Sequence, residues 1–526
     1  MPGSVAVNPS PDDRRIAQYD LLVVGGGING TGIARDAAGR GMDVLLVEQH
    51  DLASHTSSAS TKLLHGGLRY LQYYEFRLVR EALQERERLL HIAPHISRPL
   101  QFVIPLRHGS RPAWMLRAGL WFYDRIGGRQ TLPRSQAMGP DNLQWREGLI
   151  AGVRRGFAYW DAWVDDARLV VLNAVDAAER GATILTRTGL IGARAQGEMW
   201  LADLRASDGP DAAPMQVRAR MIINAAGPWA GSLRGMLDGV DRDGEVRLVK
   251  GSHIVVPQLY RGEHACLLQQ SDGRVVFTIP YQNAFTLIGT TELPAEANER
   301  ARPHITAGEV DYLCAAVNGY FKREIAPDDV QWSYSGVRPL FDDGKADVTA
   351  ISRDYVLHLD RTAGPPVLNV FGGKLTTYRR LAEHALAKAA PHLPHARGEW
   401  TATTPLPGGD LPAGGFVPFL AQVRQRWPFL PAAAADRMAR AYGTRIEGVL
   451  AEATTWDDLG EDFGSWLTEA EARWLVRQEW AVSAEDILWR RTKLGLTCAP
   501  ETALRLEAWL GTNVPAQSAG CHRGAG

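Results

Sequence analysis

Asp20–Gln49 reads DLLVVGGGINGTGIARDAAGRGMDVLLVEQ. An apolar run, a glycine turn, a helical stretch with small residues on one face, and a second apolar run follow one another, the pattern of a βαβ unit. Gly25, Gly27 and Gly30 form G-x-G-x-x-G directly after the strand LLVV. The first glycine permits a tight turn, the second lets the backbone approach a pyrophosphate, and the third lets helix and strand pack closely. The helix start then offers N–H groups and the positive end of its dipole to phosphate. Glu48 ends the second run, where its carboxylate can accept hydrogen bonds from ribose hydroxyls. These residues imply a dinucleotide and leave FAD and nicotinamide cofactors equally open.

Outward from this unit, residues 1–18 are polar, contain proline and lack periodicity, so they read as a mobile extension. Phe76, Val79, Leu83 and Leu90 fall near one face of a helix. From about 157 to 300 short β-rich runs alternate with turns, among them TILTRTGLIGA, ARMIINAAG, SHIVV, VVFTI and FTLIGTTE. A second strand–turn–helix signature, VLNVFGGKLTTYRRLAEHAL, spans residues 367–386. The cluster PLPGGDLPAGG at 405–415 separates this body from a mainly helical module.

With 526 residues, two or three domains are expected, and 45% hydrophobic residues suit a folded α/β enzyme. Lys+Arg 58 against Asp+Glu 59 gives a net charge of −1, so nothing global favours nucleic acid. The four cysteines are scattered and imply no metal site, and they fit a cytoplasmic setting. No apolar h-region opens the chain, and no run approaches the roughly 20 apolar residues of a spanning helix.

The segment TSSASTKLLHGGLRYLQYYEFRLVREALQERERLL at 56–90 resembles the signature of the FAD-dependent glycerol-3-phosphate dehydrogenases, most closely the bacterial aerobic type. RPAWMLRAGLWFYD, WVDDARLV, NAAGPWA, KGSHIVVP, IGTTE, YSGVRPL, ISRDYVL, VFGGKLTTYRRLAEHAL, DLGEDFG and LWRRTKLGL continue the resemblance in order from Tyr19 to about Leu510. It implies an α/β fold: a Rossmann-like FAD-binding domain (19–100, 155–250 and 335–395) interleaved with a sheet-rich substrate domain (101–154 and 251–334). A helical C-terminal domain (400–510) and a tail (511–526) follow. It also implies FAD as cofactor, sn-glycerol 3-phosphate as substrate, dihydroxyacetone phosphate as product, and a membrane quinone as electron acceptor. Such an enzyme sits peripherally on the inner face of the cytoplasmic membrane, with a homodimer left open.

Ser57, Ser58, Ser60 and Lys62 suit a loop pressed against a bulky cofactor, and the resemblance implies cofactor contacts for Ser57, Ser58 and Lys62. Gly372, Gly373 and Thr376 join that set, although Thr376 and Thr377 equally suit helix caps. A phosphorylated triol needs fixed cations, and Arg matches phosphate oxygens with a permanent charge. The resemblance implies that Arg69, Tyr70, Arg338 and Lys374 line the substrate pocket. Lys374 opens a helix, where its charge and the helix dipole would together favour an alkoxide.

Alcohol oxidation moves a hydride from C2 to flavin N5 while the hydroxyl proton leaves, so a base near neutral pKa is useful. His253 in KGSHIVVP is the candidate and His65 in LLHGG its rival, and a baseless mechanism through Arg338 and Lys374 stays open. Trp114, Leu116, Trp121, Phe122 and Ile126 interleave with Arg111, Arg117, Arg125 and Arg129, a mixture suited to a lipid headgroup interface or to an ordinary packed helix. Competing readings are an oxidase releasing hydrogen peroxide, a nicotinamide dehydrogenase, and a non-catalytic FAD-holding module.

Overall fold

The computed structural model describes residues 16–107, 110–139, 141–207, 214–240, 246–341, 354–394 and 397–513. Most of the expected N-terminal extension and C-terminal tail lies outside them, as does the first part of ISRDYVL.

The opening unit forms as its pattern requires: strand Ala17–Val24, helix Ile28–Gly39, strand Val44–Val47. These strands sit inside an eight-stranded sheet whose main path runs Val356–Asp360, Val367–Phe371, Met215–Asn224, Ala17–Val24, Val44–Val47, Thr183–Leu185, with Met199–Ala206 added on Met215–Asn224 and Thr188–Gln196 beyond it. The inner junctions are parallel and Val356–Asp360 is an antiparallel edge. Parallel strands buried on both faces read as near-continuous apolar runs, and LLVV and VLLV are such runs. The chain leaves Ala17–Val24 toward Val44–Val47 on one side, while Met215–Asn224 lies on the other. That divergence opens a crevice beyond the strand ends, where open α/β sheets take ligands.

Helix Ile28–Gly39 is buried almost all round, between the sheet and the helices Asp166–Glu179 and Tyr378–Ala389. Its small residues make this close approach feasible: a Cβ on Gly32 would stand 2.7 Å from the Tyr378 ring. Arg35 within it pairs with Asp176 at 2.5 Å, and both are buried. Asp166–Glu179 is a 14-residue helix inside the stretch expected to be strands and turns. Twelve of its residues, from Asp166 to Ala177, are buried in succession, so no amphipathic stripe marks it in the sequence. In helix Phe76–Ile92 the buried face runs through Val79, Leu83, Leu89 and Ile92, while Phe76 is exposed.

The second sheet has ten strands. Its path runs Leu293–Pro294, Val246–Pro257, Phe285–Gly289, Val275–Tyr281, Ala265–Gln269, Ser97–Leu106, Arg155–Val164, Leu63–Leu64, with Trp332–Phe341 added on Val246–Pro257 and Gln136–Ala137 on Arg155–Val164. Arg155–Val164 and Trp332–Phe341 therefore carry this sheet past the boundaries drawn at 155 and 335. Strand alternation reports burial, not the sheet a strand joins. The chain crosses between the two sheets repeatedly, giving the interleaved α/β architecture with a separate helical end.

That end packs around Phe419, Met438, Tyr442, Leu475, Ile487 and Leu506. It is tied to the body by buried charge. Asp51 receives Arg490 Nε at 2.6 Å and Arg491 Nη1 at 2.8 Å, and Arg187 reaches Asp486 at 2.5 Å. Arg168 pairs with Glu479 across the same junction. Burial would raise the Asp486 carboxyl, but Arg187, Arg491 and Arg490 outweigh it and bring the pKa to about 2.

Candidate active site and cofactor groove

The turn after Ala17–Val24 is as tight as its glycines allow. Gly25 has φ +118°, and a Cβ there would stand 2.4 Å from the Ala225 carbonyl oxygen. A Cβ on Gly30 would stand 1.9 Å from the carbonyl oxygen of Gly25. Gly27 has only Ser57 Oγ near its Cβ position, at 3.1 Å, and lines the open groove. Ser57 Oγ accepts from the Ile28 N–H at 3.0 Å, which brings the 54–61 loop onto the helix start.

A groove of about 180 Å³ runs over this turn, between Gly25, Gly27, Glu48 and Gln49 on one side and Ala225, Pro228, Trp229 and Leu233 on the other. Glu48 caps backbone as well as lining the groove: its Oε2 accepts from Gly26 N at 2.6 Å and its Oε1 from His50 N at 2.8 Å. Burial raises the Glu48 carboxyl above its ordinary value. Asn29 donates to the Gly372 carbonyl at 3.0 Å, whereas its buried Oδ1 has no hydrogen-bond partner among the described residues. Gly372 and Gly373, both at positive φ, close the far wall.

A second cavity of about 300 Å³ continues from the first, sharing Ile28, Thr56, Ser57, Pro339 and Gly373. Arg69, Tyr70, Arg338, Lys374 and Thr376 meet in it, together with His65, Thr61 and Glu292. The HGG turn supplies two of these. Gly67 has φ +76° and a Cβ on it would stand 2.2 Å from the Tyr70 ring, so glycine lets Tyr70 fold back over the turn. Lys374 then lays its ammonium 3.9 Å from the centroid of that ring. The amide of His65 donates to Thr376 Oγ1 at 3.3 Å, joining the two motif loops.

Arg338 arrives on strand Trp332–Phe341 opposite Val249. Gly251 on the neighbouring strand leaves it room, because a Cβ there would be 3.0 Å from Arg338 Nη2 and 2.7 Å from Thr290 Oγ1. Glu292, not singled out from the sequence, stands 3.4 Å from Arg338 and 3.9 Å from Arg69. Its signal was only the last letter of IGTTE.

Three candidates point elsewhere. His253 is buried and does not line the cavity. Its Nε2 is 2.9 Å from Thr61 Oγ1, and its ring stacks on Tyr334 at 4.7 Å. Burial first, then the charges of Arg338 and Lys62, hold its pKa well below the usual histidine value. Lys62 is buried with Asp166 at 2.9 Å and donates to the Ser58 carbonyl at 3.1 Å, so it braces the loop from behind. Ser58 turns its hydroxyl to the His55 carbonyl at 3.2 Å. The motif located the loop, whose residues 54–57 and 59–61 line the two cavities while Ser58 and Lys62 do not.

The groove fits FAD. It offers a glycine surface at a helix start for a pyrophosphate, a carboxylate placed for a ribose, an unsatisfied Asn29 oxygen, and a contiguous second chamber for a ring system and a small substrate.

Known proteins agree with this architecture. The FAD dependent oxidoreductase model matches residues 20–379, and the model for the C-terminal domain of alpha-glycerophosphate oxidase matches 400–508. Glycerol-3-phosphate dehydrogenase of Pseudomonas aeruginosa is 50% identical over 500 residues, 94% of this chain and 96% of that protein. D-erythritol 1-phosphate dehydrogenase of Brucella abortus is 50% identical over 490 residues, 92% and 96%. The aerobic glycerol-3-phosphate dehydrogenase of Escherichia coli is 46% identical over 496 residues, 93% and 97%. Among solved structures, glycerol-3-phosphate dehydrogenase of Bacillus halodurans complexed with FAD superposes with a TM-score of 0.70 at 27% identity, covering 94% of each chain. The chain therefore belongs to the FAD-dependent oxidoreductase family, with FAD as its cofactor and a C-terminal domain of the alpha-glycerophosphate oxidase type.

Proposed function

We propose that the chain oxidises sn-glycerol 3-phosphate to dihydroxyacetone phosphate and passes the electrons to a membrane quinone. The observation that carries this reading is the meeting of Arg69, Arg338 and Lys374 in one small cavity continuous with the cofactor groove. The names of the relatives above support the substrate.

When bound, FAD supplies the acceptor for the hydride that leaves C2. Gly25, Gly27, Gly30, Ser57, Gly372 and Gly373 would shape its bed, and Glu48 would hold the ribose. Arg69 and Arg338 take the phosphate oxygens, which fixes the polyol by one end. Lys374, kept in place against the Tyr70 ring, steadies negative charge on the C2 oxygen as its proton departs. His65 accepts that proton at a ring nitrogen. Thr61 and the wall of Tyr159, Leu267 and Phe277 limit water around the reacting carbon. The eight-stranded sheet is the FAD-binding part and the ten-stranded sheet the substrate part.

Membrane contact falls to the helix Ala113–Ile126. It packs inward by Leu120 and Tyr123 and turns Trp114 (72% exposed) and Trp121 (54%) outward. Arg117 and Arg125 are exposed beside them, and Tyr74, 79% exposed, stands nearby through Phe76, whose ring meets Phe122 at 5.3 Å. An aromatic and basic surface of this kind suits an anionic headgroup layer on the inner face of the cytoplasmic membrane. Among the described residues no helix is long and apolar enough to cross a membrane.

The equal identity to a D-erythritol 1-phosphate dehydrogenase favours one second reading, a four-carbon polyol phosphate bound through the same arginines. Comparison of kcat/KM for the two polyol phosphates with a soluble quinone decides between them. A higher value for sn-glycerol 3-phosphate upholds the main reading, and a higher value for D-erythritol 1-phosphate replaces it.

A further inference from the structure

Glu292 lies just beyond strand Phe285–Gly289 and lines the cavity between the two arginines. Its Oε1 is 3.4 Å from Nη1 of Arg338 and its Oε2 is 3.9 Å from Nη1 of Arg69. The carboxylate is 10% exposed, less than either guanidinium, so it is the inner member of the group.

One oxygen on each of two guanidinium groups has two physical effects. It fixes the spacing of two cations that repel one another, and it places a negative charge where an incoming anion must bind. Both separations exceed those of a tight bidentate pair, so Glu292 spans the two arginines by loose ion pairs. The two cations come from segments far apart in the chain, a turn at Leu68–Tyr73 and the strand Trp332–Phe341. Glu292 is a shared contact through which their relative position can be set.

We propose that Glu292 is a positioning and specificity-determining residue: it sets the spacing of Arg69 and Arg338 and makes the pair a poor site for free inorganic phosphate. A phosphate carried on a polyol overcomes the nearby carboxylate because its carbon chain makes further contacts in the cavity. Free phosphate has no such supplement. The inference rests on the reading of Arg69 and Arg338 as the phosphate site.

The test titrates the FAD-loaded holoenzyme with inorganic phosphate by calorimetry, beside steady-state kinetics with sn-glycerol 3-phosphate. Glu292→Gln is expected to bind phosphate about tenfold more tightly than the wild type, since a like charge within about 5 Å is removed. Its kcat/KM is expected to fall, because the arginines lose their spacer. Glu292→Ala is measured in parallel, so that poor folding of one variant leaves the other, and Glu292→Asp, which keeps the charge, should return phosphate affinity toward the wild-type value. Phosphate binding no tighter in the Gln and Ala variants than in wild type overturns the proposal, as does an Asp variant that binds as tightly as Gln. Phosphate binding by the Gln variant that survives a second change, Arg338→Ala, overturns instead the phosphate-site reading beneath it.

Discussion

Oγ1 of Thr61 lies 2.9 Å from Nε2 of His253, and of the two residues only Thr61 reaches the cavity. His253 therefore holds the wall, whereas His65 is part of it. Asn at position 253 can still hydrogen-bond Thr61, so His253→Asn should slow flavin reduction less than about tenfold. His65→Asn should slow it by about 10²- to 10³-fold and flatten the acid limb of the pH–rate profile. Stopped-flow reduction of both variants checks this, and the reverse order of effects would return the base to His253.

Arg338 lines the second cavity and not the groove over the glycine turn. Arg338→Ala should raise KM for sn-glycerol 3-phosphate by about 100-fold, the scale of losing one charged partner in a half-buried pair. FAD content, read from absorbance after gel filtration, should stay at the wild-type level. Loss of FAD would assign Arg338 to the cofactor instead.

The junction between body and helical module should be acid-sensitive. Asp486 has a folded pKa of about 2 against an ordinary 3.8, so its contribution is present above 3.8 and is lost as pH falls toward 2. That contribution is about 2 kcal/mol. Asp486→Asn should lower the melting temperature at pH 6, and its difference from wild type should shrink between pH 4 and pH 2. A difference independent of pH would contradict the assignment.

Replacement of Trp114 and Trp121 by Ala should reduce co-sedimentation with anionic phospholipid vesicles several-fold, since two large apolar side chains leave the interface. Activity with a soluble acceptor should not change. Undiminished vesicle binding would contradict the membrane role proposed for this helix.

Much of this was legible in the sequence, for reasons that differ by residue. Gly25, Gly27 and Gly30 announce themselves because a change of hydrophobic period surrounds them, and their backbone contacts are local. Arg69, Tyr70, Arg338 and Lys374 were found through motifs, and the fold brings all four to one cavity. Lys62 and His253 also lie in family motifs but line neither cavity, since a motif marks a segment and not the direction of each side chain. Helix Asp166–Glu179 was missed because a helix buried on every side carries no polar stripe. Glu292 was missed because its partners come from segments remote in the sequence, and a single acid carries no spacing pattern.

The decisive measurement is the absorbance spectrum of the purified, FAD-loaded protein under anaerobic conditions before and after sn-glycerol 3-phosphate is added. Bleaching of the flavin band, with dihydroxyacetone phosphate formed in equal amount, is the expected result. A flavin band left unchanged at saturating sn-glycerol 3-phosphate would contradict the proposed oxidation.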